Sequence, residues 1–329
     1  MDKVGWSSIL VAALVLALRA MTHAQQPTKV PRIGYLGATS VSATSDRTEP
    51  FRQGLRELGY VEGKIIVIEW RYAEGKLDRL PAIAAELVRL KVDIIVTSGP
   101  IPTRAAKEAT VTIPIVMAQD SDPVANGFVA SLTRPGGNIT GLSTLAPELN
   151  GKRLDLLREI VPKLSRVAVL GTSTQPGNEQ SLKEVELAAK AFGVKLQYLD
   201  VLSSKEIATA FRAATKGRAD AVLMLLAGPV FNPSRTPIIE LAVKNRLPVI
   251  YRNRADVEAG GLVSYGVDLT NLYRRAATYV DKILKGAKPA DLPVEQPIKF
   301  EFIINLKAAK QIGLTIPPNV LVRADKVIK

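Results

Sequence analysis

The chain has 329 residues, of which 44 are Lys or Arg, 31 are Asp or Glu, one is His and none is Cys. The composition therefore excludes disulfides, and with His23 as the only histidine it excludes zinc sites of nitrogen and sulfur ligands and His-based catalytic triads. The net charge of +13 comes from single Lys and Arg residues interleaved with acidic ones, which favours a basic solvated surface over a nucleic-acid or membrane interface. We expect a binding protein and not an enzyme, with no catalytic residues, no cofactor, no metal and no nucleic-acid partner.

The first 24 residues have the pattern of a secretory signal peptide. Lys3 gives a basic start, residues 9–18 form an apolar stretch, and Thr22-His23-Ala24 is a small-x-small cleavage site. Ten apolar residues are too few for a membrane-spanning helix, which needs about 20. We expect cleavage after Ala24 and a soluble exported chain that is not inserted in the membrane. A retained membrane anchor is the alternative.

Strands and helices alternate through the rest of the chain, which is long enough for two domains. Apolar runs predict strands at residues 31–38, 65–69, 93–97 and 113–117. Phe51, Leu55 and Leu58 share one helix face, and further helices are predicted near residues 80–90 and 103–109. Continuous Ile and Val runs between helices are typical of parallel strands buried on both faces.

A second copy of this pattern begins near Arg166. Three segments recur at one offset of 134 residues: residues 32–37 and 166–171, residues 58–59 and 192–193, and residues 113–116 and 247–250. Each copy ends in a glycine-rich strand, at residues 136–142 and 260–266, where the chain can bend sharply. We predict an α/β fold of two similar Rossmann-like lobes with parallel sheets. One large doubly wound sheet is the alternative.

The last third of the chain is divided between the lobes. A helix is predicted at residues 269–284, followed by a strand at residues 298–304 and a short helix at residues 305–312. We assign residues 1–24 to the signal peptide, residues 25–143 and 265–297 to lobe 1, and residues 144–264 and 298–329 to lobe 2.

Hydroxyl side chains follow the first strand of each copy. Thr39 and Ser40 come after Gly37, and Thr172 comes after Gly171. Ligands of open α/β sheets bind outside the carboxyl ends of the strands, so these residues would face each other across a cleft between the lobes. The alternative is that they cap the helices that follow.

A loop from residue 97 to residue 103 joins a buried strand to a helix. Backbone N–H groups at a helix N-terminus attract anions. We predict that Ser98, Gly99, Thr103 and the adjacent N–H groups hold the carboxylate of a ligand.

Four other regions supply candidate contacts. Gln119 and Asp120 follow the next strand, and Asp120 or Asp268 is predicted to take an ammonium group; an N-cap before Pro123 is the alternative role for Asp120. Phe231 and Tyr265 lie near strand ends and are predicted to flank a ligand side chain. Core packing is the alternative for both aromatic residues.

Several stretches resemble one family. They are residues 51–60 (FRQGLRELGY), 69–74 (EWRYAE), 80–88 (LPAIAAELV), 131–143 (SLTRPGGNITGLS), 264–268 (SYGVD) and 305–317 (NLKAAKQIGLTIP). The resemblance that rests on them extends over nearly the whole predicted mature chain and is to bacterial ABC-transporter substrate-binding proteins whose characterised members bind tryptophan, tyrosine or phenylalanine.

The resemblance implies a type I periplasmic binding protein, with two lobes joined by a three-crossing hinge. It further implies a small-molecule ligand, an ABC permease and ATPase as partners, and a periplasmic location. Many relatives are lipoproteins with a cysteine at the cleavage site, which this chain lacks. We therefore expect a monomer that is free in the periplasm and is not a lipoprotein.

Three functions remain open from the sequence. The first is a transport receptor that closes its hinge on a small molecule, such as an aromatic or other amino acid. The second is an exported ligand sensor without a transporter. The third is a two-lobed transferase, which the absence of a GxxxxGK[ST] phosphate-binding loop disfavours.

Overall fold

A computed structural model of the protein describes residues 30–226 and 228–329. The predicted signal peptide and its cleavage site lie outside the described residues. The first sheet contains β1 (Arg32–Gly37), β2 (Val67–Tyr72), β3 (Ile94–Thr97), β4 (Ile115–Asp120) and β5 (Ile139–Ser143). Its strands are all parallel, in the order β2-β1-β3-β4-β5.

The second sheet is larger. It contains β6 (Arg166–Gly171), β7 (Lys195–Asp200), β8 (Ala221–Met224), β9 (Val249–Tyr251), β10 (Val263–Val267), β11 (Phe300–Asn305) and β12 (Lys326–Ile328). Its order is β12-β11-β10-β9-β8-β6-β7. Strand β11 runs antiparallel to β10, and the other neighbouring pairs are parallel.

Five strands of the second sheet, in the order β7-β6-β8-β9-β10, repeat the order of the first sheet. The repeat therefore exists in the topology as well as in the sequence. This confirms the predicted fold class of two similar α/β lobes, and the alternative of one continuous sheet is wrong.

Helices cover both faces of the sheets. They are α1 (Ser45–Glu57), α2 (Leu80–Arg89), α3 (Pro100–Ala109), α4 (Ala146–Ile160), α5 (Asn178–Phe192), α6 (Ile207–Lys216), α7 (Arg235–Lys244), α8 (Arg254–Glu258), α9 (Leu269–Leu284), α10 (Leu306–Gln311) and α11 (Pro318–Leu321), with short 3₁₀ turns at Leu77–Arg79, Ser204–Glu206 and Pro289–Asp291. Among residues 30–226 and 228–329, no helix combines the length and the apolar character needed to span a bilayer.

Burial on both faces explains the apolar strand runs. In β1, Ile33 and Tyr35 point into one core and Leu36 points into another, because successive side chains of a strand alternate between faces. In β6, Val169 and Leu170 divide in the same way between two cores of the second lobe. Because such a strand is buried on both faces, its sequence does not alternate between apolar and polar residues.

The chain passes between the two sheets at three places. After Ser143 it enters α4, which packs in the core of the second sheet. After Val267 it enters α9, which packs on α1 and the first sheet. The third crossing lies between Glu295 and Phe300. The backbone N–H of Glu295 donates to the carbonyl oxygen of Gly141 in the first sheet at 3.0 Å, whereas Phe300 pairs with the second sheet. The exact lobe boundaries stay a prediction, and strand pairing places residues 265–267 on the second sheet.

Helices α1 and α9 pack closely against each other at Gly54. A Cβ atom at this position would lie 2.7 Å from the Arg274 carbonyl oxygen and 2.9 Å from the Ala277 Cβ. Both distances are shorter than van der Waals contact. Gly54 therefore sets how closely α9 packs on the first lobe.

We expect Gly54→Ala to lower the free energy of unfolding by about 1–3 kcal/mol, because the added methyl group must push α9 away from α1. Chemical denaturation measures the change. Gly151→Ala in α4 is the matched control, since its nearest neighbour, the Ala188 Cβ, lies 3.6 Å away. This control should be unchanged or more stable by roughly 0.5–1 kcal/mol. Equal stability of Gly54→Ala and wild type would contradict the packing described.

Candidate ligand-binding cleft

A cavity of about 840 Å³, counted to its open mouth, lies between the two sheets. One wall comes from the loops after β1, β3 and β4, and the other from the loops after β6, β8 and β9. Both walls are therefore formed at the carboxyl ends of parallel strands, where α/β proteins bind their ligands. Helix α4 and the start of α9, which lie at the crossings, complete the lining.

Five of the predicted contact residues line this cleft: Thr39, Ser98, Gly99, Gln119 and Asp120. All five belong to the first lobe. The Gln119 side-chain amide donates to the Ser98 carbonyl oxygen at 3.1 Å, which fixes its position in the wall. The role of these five residues in ligand binding stays a prediction.

Thr103 does not line the cleft. Its buried hydroxyl donates to the Gly99 carbonyl oxygen at 2.8 Å and lies 2.7 Å from the Thr97 hydroxyl. Its backbone N–H also donates to the Gly99 carbonyl oxygen, at 3.1 Å. Pro100 and Pro102, in the first turn of α3, have no N–H group to offer. The predicted carboxylate site at this helix N-terminus therefore has few free donors.

Ser40 and Thr172 also lie outside the cleft lining. The Ser40 hydroxyl accepts from the Ala43 backbone N–H at 3.3 Å, in the turn that precedes α1. The Thr172 hydroxyl donates to the Val201 carbonyl oxygen at 2.9 Å. Both hydroxyls thus bond within the protein, but neither caps the helix that follows it, so the alternative role is not met either.

The remaining predicted contact residues also lie outside the cleft lining: Phe231, Tyr265 and Asp268. Phe231 is buried in a core of the second lobe. The Tyr265 ring stacks on the Phe300 ring with centroids 6.1 Å apart. Asp268 caps α9 and forms an ion pair with Lys299 at 3.3 Å. No aromatic side chain is among the described residues that line the cleft.

Three arginines that the sequence analysis did not select line the cleft: Arg47 from α1, Arg153 from α4 and Arg252 after β9. The Arg47 and Arg153 residues are 4% and 1% exposed. Arg153 is held in place, because its Nε donates to the Tyr265 carbonyl oxygen at 2.7 Å and its Nη1 donates to Asn150 Oδ1 at 2.6 Å.

The other two guanidinium groups have unused donors. Within the described residues, Arg47 Nε and Nη2 and Arg252 Nε are buried without a hydrogen-bond partner. The Asp46 carboxylate lies 3.9 Å from Arg47 Nε, beyond hydrogen-bond distance. Buried donors without acceptors are rare in proteins, and at a cleft they indicate positions for ligand atoms.

The three arginines also repel one another. Burial lowers the pKa of the Arg153 guanidinium well below its ordinary value, and the charge of Arg252 lowers it further. Burial and then the charge of Arg47 lower the pKa of Arg252 to about 10. The cleft therefore holds positive charges close together, away from water.

Asp120 is the acidic residue among the described cleft-lining residues, and it is 1% exposed. Its Oδ1 accepts from Asn126 Nδ2 at 2.8 Å and from the Asp122 backbone N–H at 3.0 Å, while its buried Oδ2 has no described partner. Burial raises the pKa of Asp120 to about 7, although the two hydrogen bonds and the charge of Arg104 oppose this shift. Asp120 therefore changes its charge near neutral pH.

The sequence did contain a signal for two of the arginines. Arg47 precedes Phe51 and Leu55 by four and eight residues, so it lies on the apolar face of α1. Arg153 lies between Leu149 and Leu157 on the buried face of α4 in the same way. A charged residue on an apolar helix face indicates a buried charge with a partner or a ligand.

We expect the raised pKa of Asp120 to make the ligand-free protein less stable as pH rises. An unfolded Asp has a pKa of about 4, so the cost of the buried charge is absent below pH 4 and complete above pH 7. Asp120→Asn should therefore be more stable than wild type at pH 8, by up to ~4 kcal/mol, and closer to it at pH 5.

Chemical denaturation at the two pH values measures this difference. The exposed Asp78 gives the control Asp78→Asn, which makes the same change in net charge. A stability gain for Asp120→Asn that is the same at both pH values would contradict the expected titration.

Comparison with known proteins agrees with this architecture. A family described as ABC transporter substrate binding protein matches residues 38–328. A tyrosine-binding protein of Clostridioides difficile (strain R20291) is 27% identical over 264 residues, which are 80% of this chain and 75% of that protein.

Two solved structures cover 91% of this chain. A conserved domain protein from Vibrio cholerae has a TM-score of 0.86 at 29% identity and is covered over its full length (100%). The ABC domain in complex with L-Trp from Streptococcus pneumoniae has a TM-score of 0.85 at 27% identity and is 99% covered. These matches confirm the predicted family resemblance and the type I periplasmic binding protein fold. Because the family match spans most of its length, the chain belongs to the ABC transporter substrate-binding protein family.

Proposed function

We propose that the protein is the extracytoplasmic receptor of an ABC importer and captures an amino acid in the cleft between its lobes. The observation that carries this proposal is the pairing of charges in that cleft, where buried arginines and the buried Asp120 carboxylate line one cavity. An amino acid brings a carboxylate and an ammonium group. Each must find an opposite charge when it leaves water, because an isolated buried charge is strongly unfavourable.

The printed names of two relatives support the ligand class. One is a tyrosine-binding protein and the other is a structure in complex with L-Trp. In this chain, the guanidinium groups would donate hydrogen bonds to the ligand carboxylate, and the unpartnered Oδ2 of Asp120 would accept one from the ammonium group. Ser98, Thr39 and Gln119 would add neutral hydrogen bonds from the first wall.

Hinge closure follows from the way the cleft is divided. Its two walls belong to different sheets, and the chain joins them at three crossings. A ligand that contacts both walls stabilises the closed arrangement over the open one. The closed form would then dock on the permease of the transporter, whose ATPase drives import.

The test of this function is to identify the natural ligand. Purified protein is denatured, the released small molecules are identified by mass spectrometry, and the refolded protein is titrated with them by calorimetry. We expect an amino acid, and a decrease in the radius of gyration when it binds. Release of no amino acid, together with no binding of any of the twenty standard amino acids, would contradict the proposal.

Asp120→Asn tests the ammonium contact. We expect a ten- to hundredfold weaker affinity for the released amino acid, since the loss of a charged hydrogen bond is worth roughly 1.5–3 kcal/mol. Asp78→Asn serves as the control, because it removes an exposed carboxylate outside the cleft. Wild-type affinity in Asp120→Asn would show that the ammonium group binds elsewhere.

Export requires that the first residues act as a signal. We propose cleavage after Ala24 and release of the mature chain into the periplasm. N-terminal sequencing of protein from the periplasmic fraction should give a chain that starts at Gln25. Recovery of an uncleaved chain in the membrane pellet would support the anchor instead.

A further inference from the structure

We propose, on the basis of the function proposed above, that the captured amino acid is a small acidic one with two carboxylates and not an aromatic one. Three features of the cleft carry this inference: its charge balance, the edge of Arg47 that is free to bind an anion, and the chemistry of its apolar lining.

The charge balance of the cleft is positive. Among the described residues that line the cleft, three are basic, Arg47, Arg153 and Arg252, and one is acidic, Asp120. An amino acid with a neutral side chain adds one carboxylate and one ammonium group, so it leaves the surplus of positive charge unchanged. A second carboxylate on the ligand would reduce that surplus, and it would do so where the arginines already repel one another.

The free donors of the cleft are arranged for carboxylates. Arg47 Nε and Nη2 lie on one edge of the guanidinium plane, and this edge can donate in parallel to both oxygens of a carboxylate. Arg252 Nε is a further buried donor without a described partner. Arg47 belongs to the first lobe and Arg252 to the second, so the two groups approach the cavity from opposite walls.

Other charges near these arginines are already engaged or lie at a distance. Asp46 is half-exposed, with its Oδ1 3.9 Å from Arg47 Nε. Asp256, which acts on Arg252, forms an ion pair with Arg235 at 2.7 Å. The buried Tyr273 hydroxyl beside Arg47 is a neutral neighbour, so a ligand carboxylate is the charged acceptor that these donors lack.

The apolar lining suits a short aliphatic chain. The described lining contains no aromatic side chain on which a ligand ring could stack. Its apolar residues are aliphatic, among them Leu149, Leu226 and Val267. An acidic amino acid has two or three methylene and methine carbons between its charged groups, which such a surface can cover.

Calorimetry with six ligands tests the ligand class: L-glutamate and L-glutamine, L-aspartate and L-asparagine as a shorter matched pair, and L-tyrosine and L-tryptophan. An acid and its amide have nearly the same shape and differ in one charge. We expect at least one acid to bind tenfold or more tightly than its own amide, and more tightly than either aromatic amino acid.

Tighter binding of tyrosine or tryptophan, or equal binding of each acid and its amide, would overturn this inference and leave the proposed function intact. If no amino acid binds and none is released on denaturation, the proposed function fails as well. The two failures are therefore distinguishable in one set of titrations.

Arginine variants test the residues. Arg47→Gln and Arg252→Gln should each weaken the binding of the acid tenfold or more and bring the ratio of acid to amide affinity close to one. A merely structural role would lower both affinities together and keep their ratio. Arg89→Gln on the exposed side of α2 is the control for net charge. An unchanged ratio in folded Arg47→Gln and in folded Arg252→Gln would overturn the assignment.

Discussion

The guanidinium group of Arg153 joins two of the three chain crossings. Its Nε donates to the carbonyl of Tyr265, in the strand that leads into the second crossing, and its Nη1 donates to Asn150, in the helix that follows the first. Hydrogen bonds from a charged donor are about twice as strong as neutral ones, and this side chain is shielded from water. Arg153 therefore holds two crossing segments together and also lines the cleft. Binding and hinge geometry share one side chain.

The same cleft lowers the stability of the empty protein. Three crowded guanidinium groups and a buried carboxylate are unfavourable interactions that four well-packed apolar cores offset. Proteins tolerate such local strain where function requires it, and a ligand that relieves the strain stabilises the folded form by mass action. A change that makes the empty cleft more stable is thus expected to make it a poorer receptor.

The fold was predictable because its signals are local, whereas most of the site was not. Runs of Ile and Val identify strands, and the common offset of 134 residues identifies the repeat without any knowledge of contacts. The expectation that residues at strand ends line the cleft holds for Ser98 and Asp120, whose contact with a ligand stays a prediction. It did not hold for Thr103, because hydrogen bonds within its own loop use its hydroxyl and N–H groups. Arg252 had no local pattern, and its position depends on how the two lobes face each other.

The assignment of α9 to the first lobe has a consequence for folding order. The core around β1 includes Leu272, Tyr273 and Ala276, which lie more than 200 residues later in the chain. During synthesis this core stays incomplete until α9 has been made, which comes after β6 to β10 of the second lobe. Contacts of such long sequence separation slow folding and leave apolar surface exposed for longer. The core around β1 therefore gains its last packing partner only after residue 284 has been synthesised.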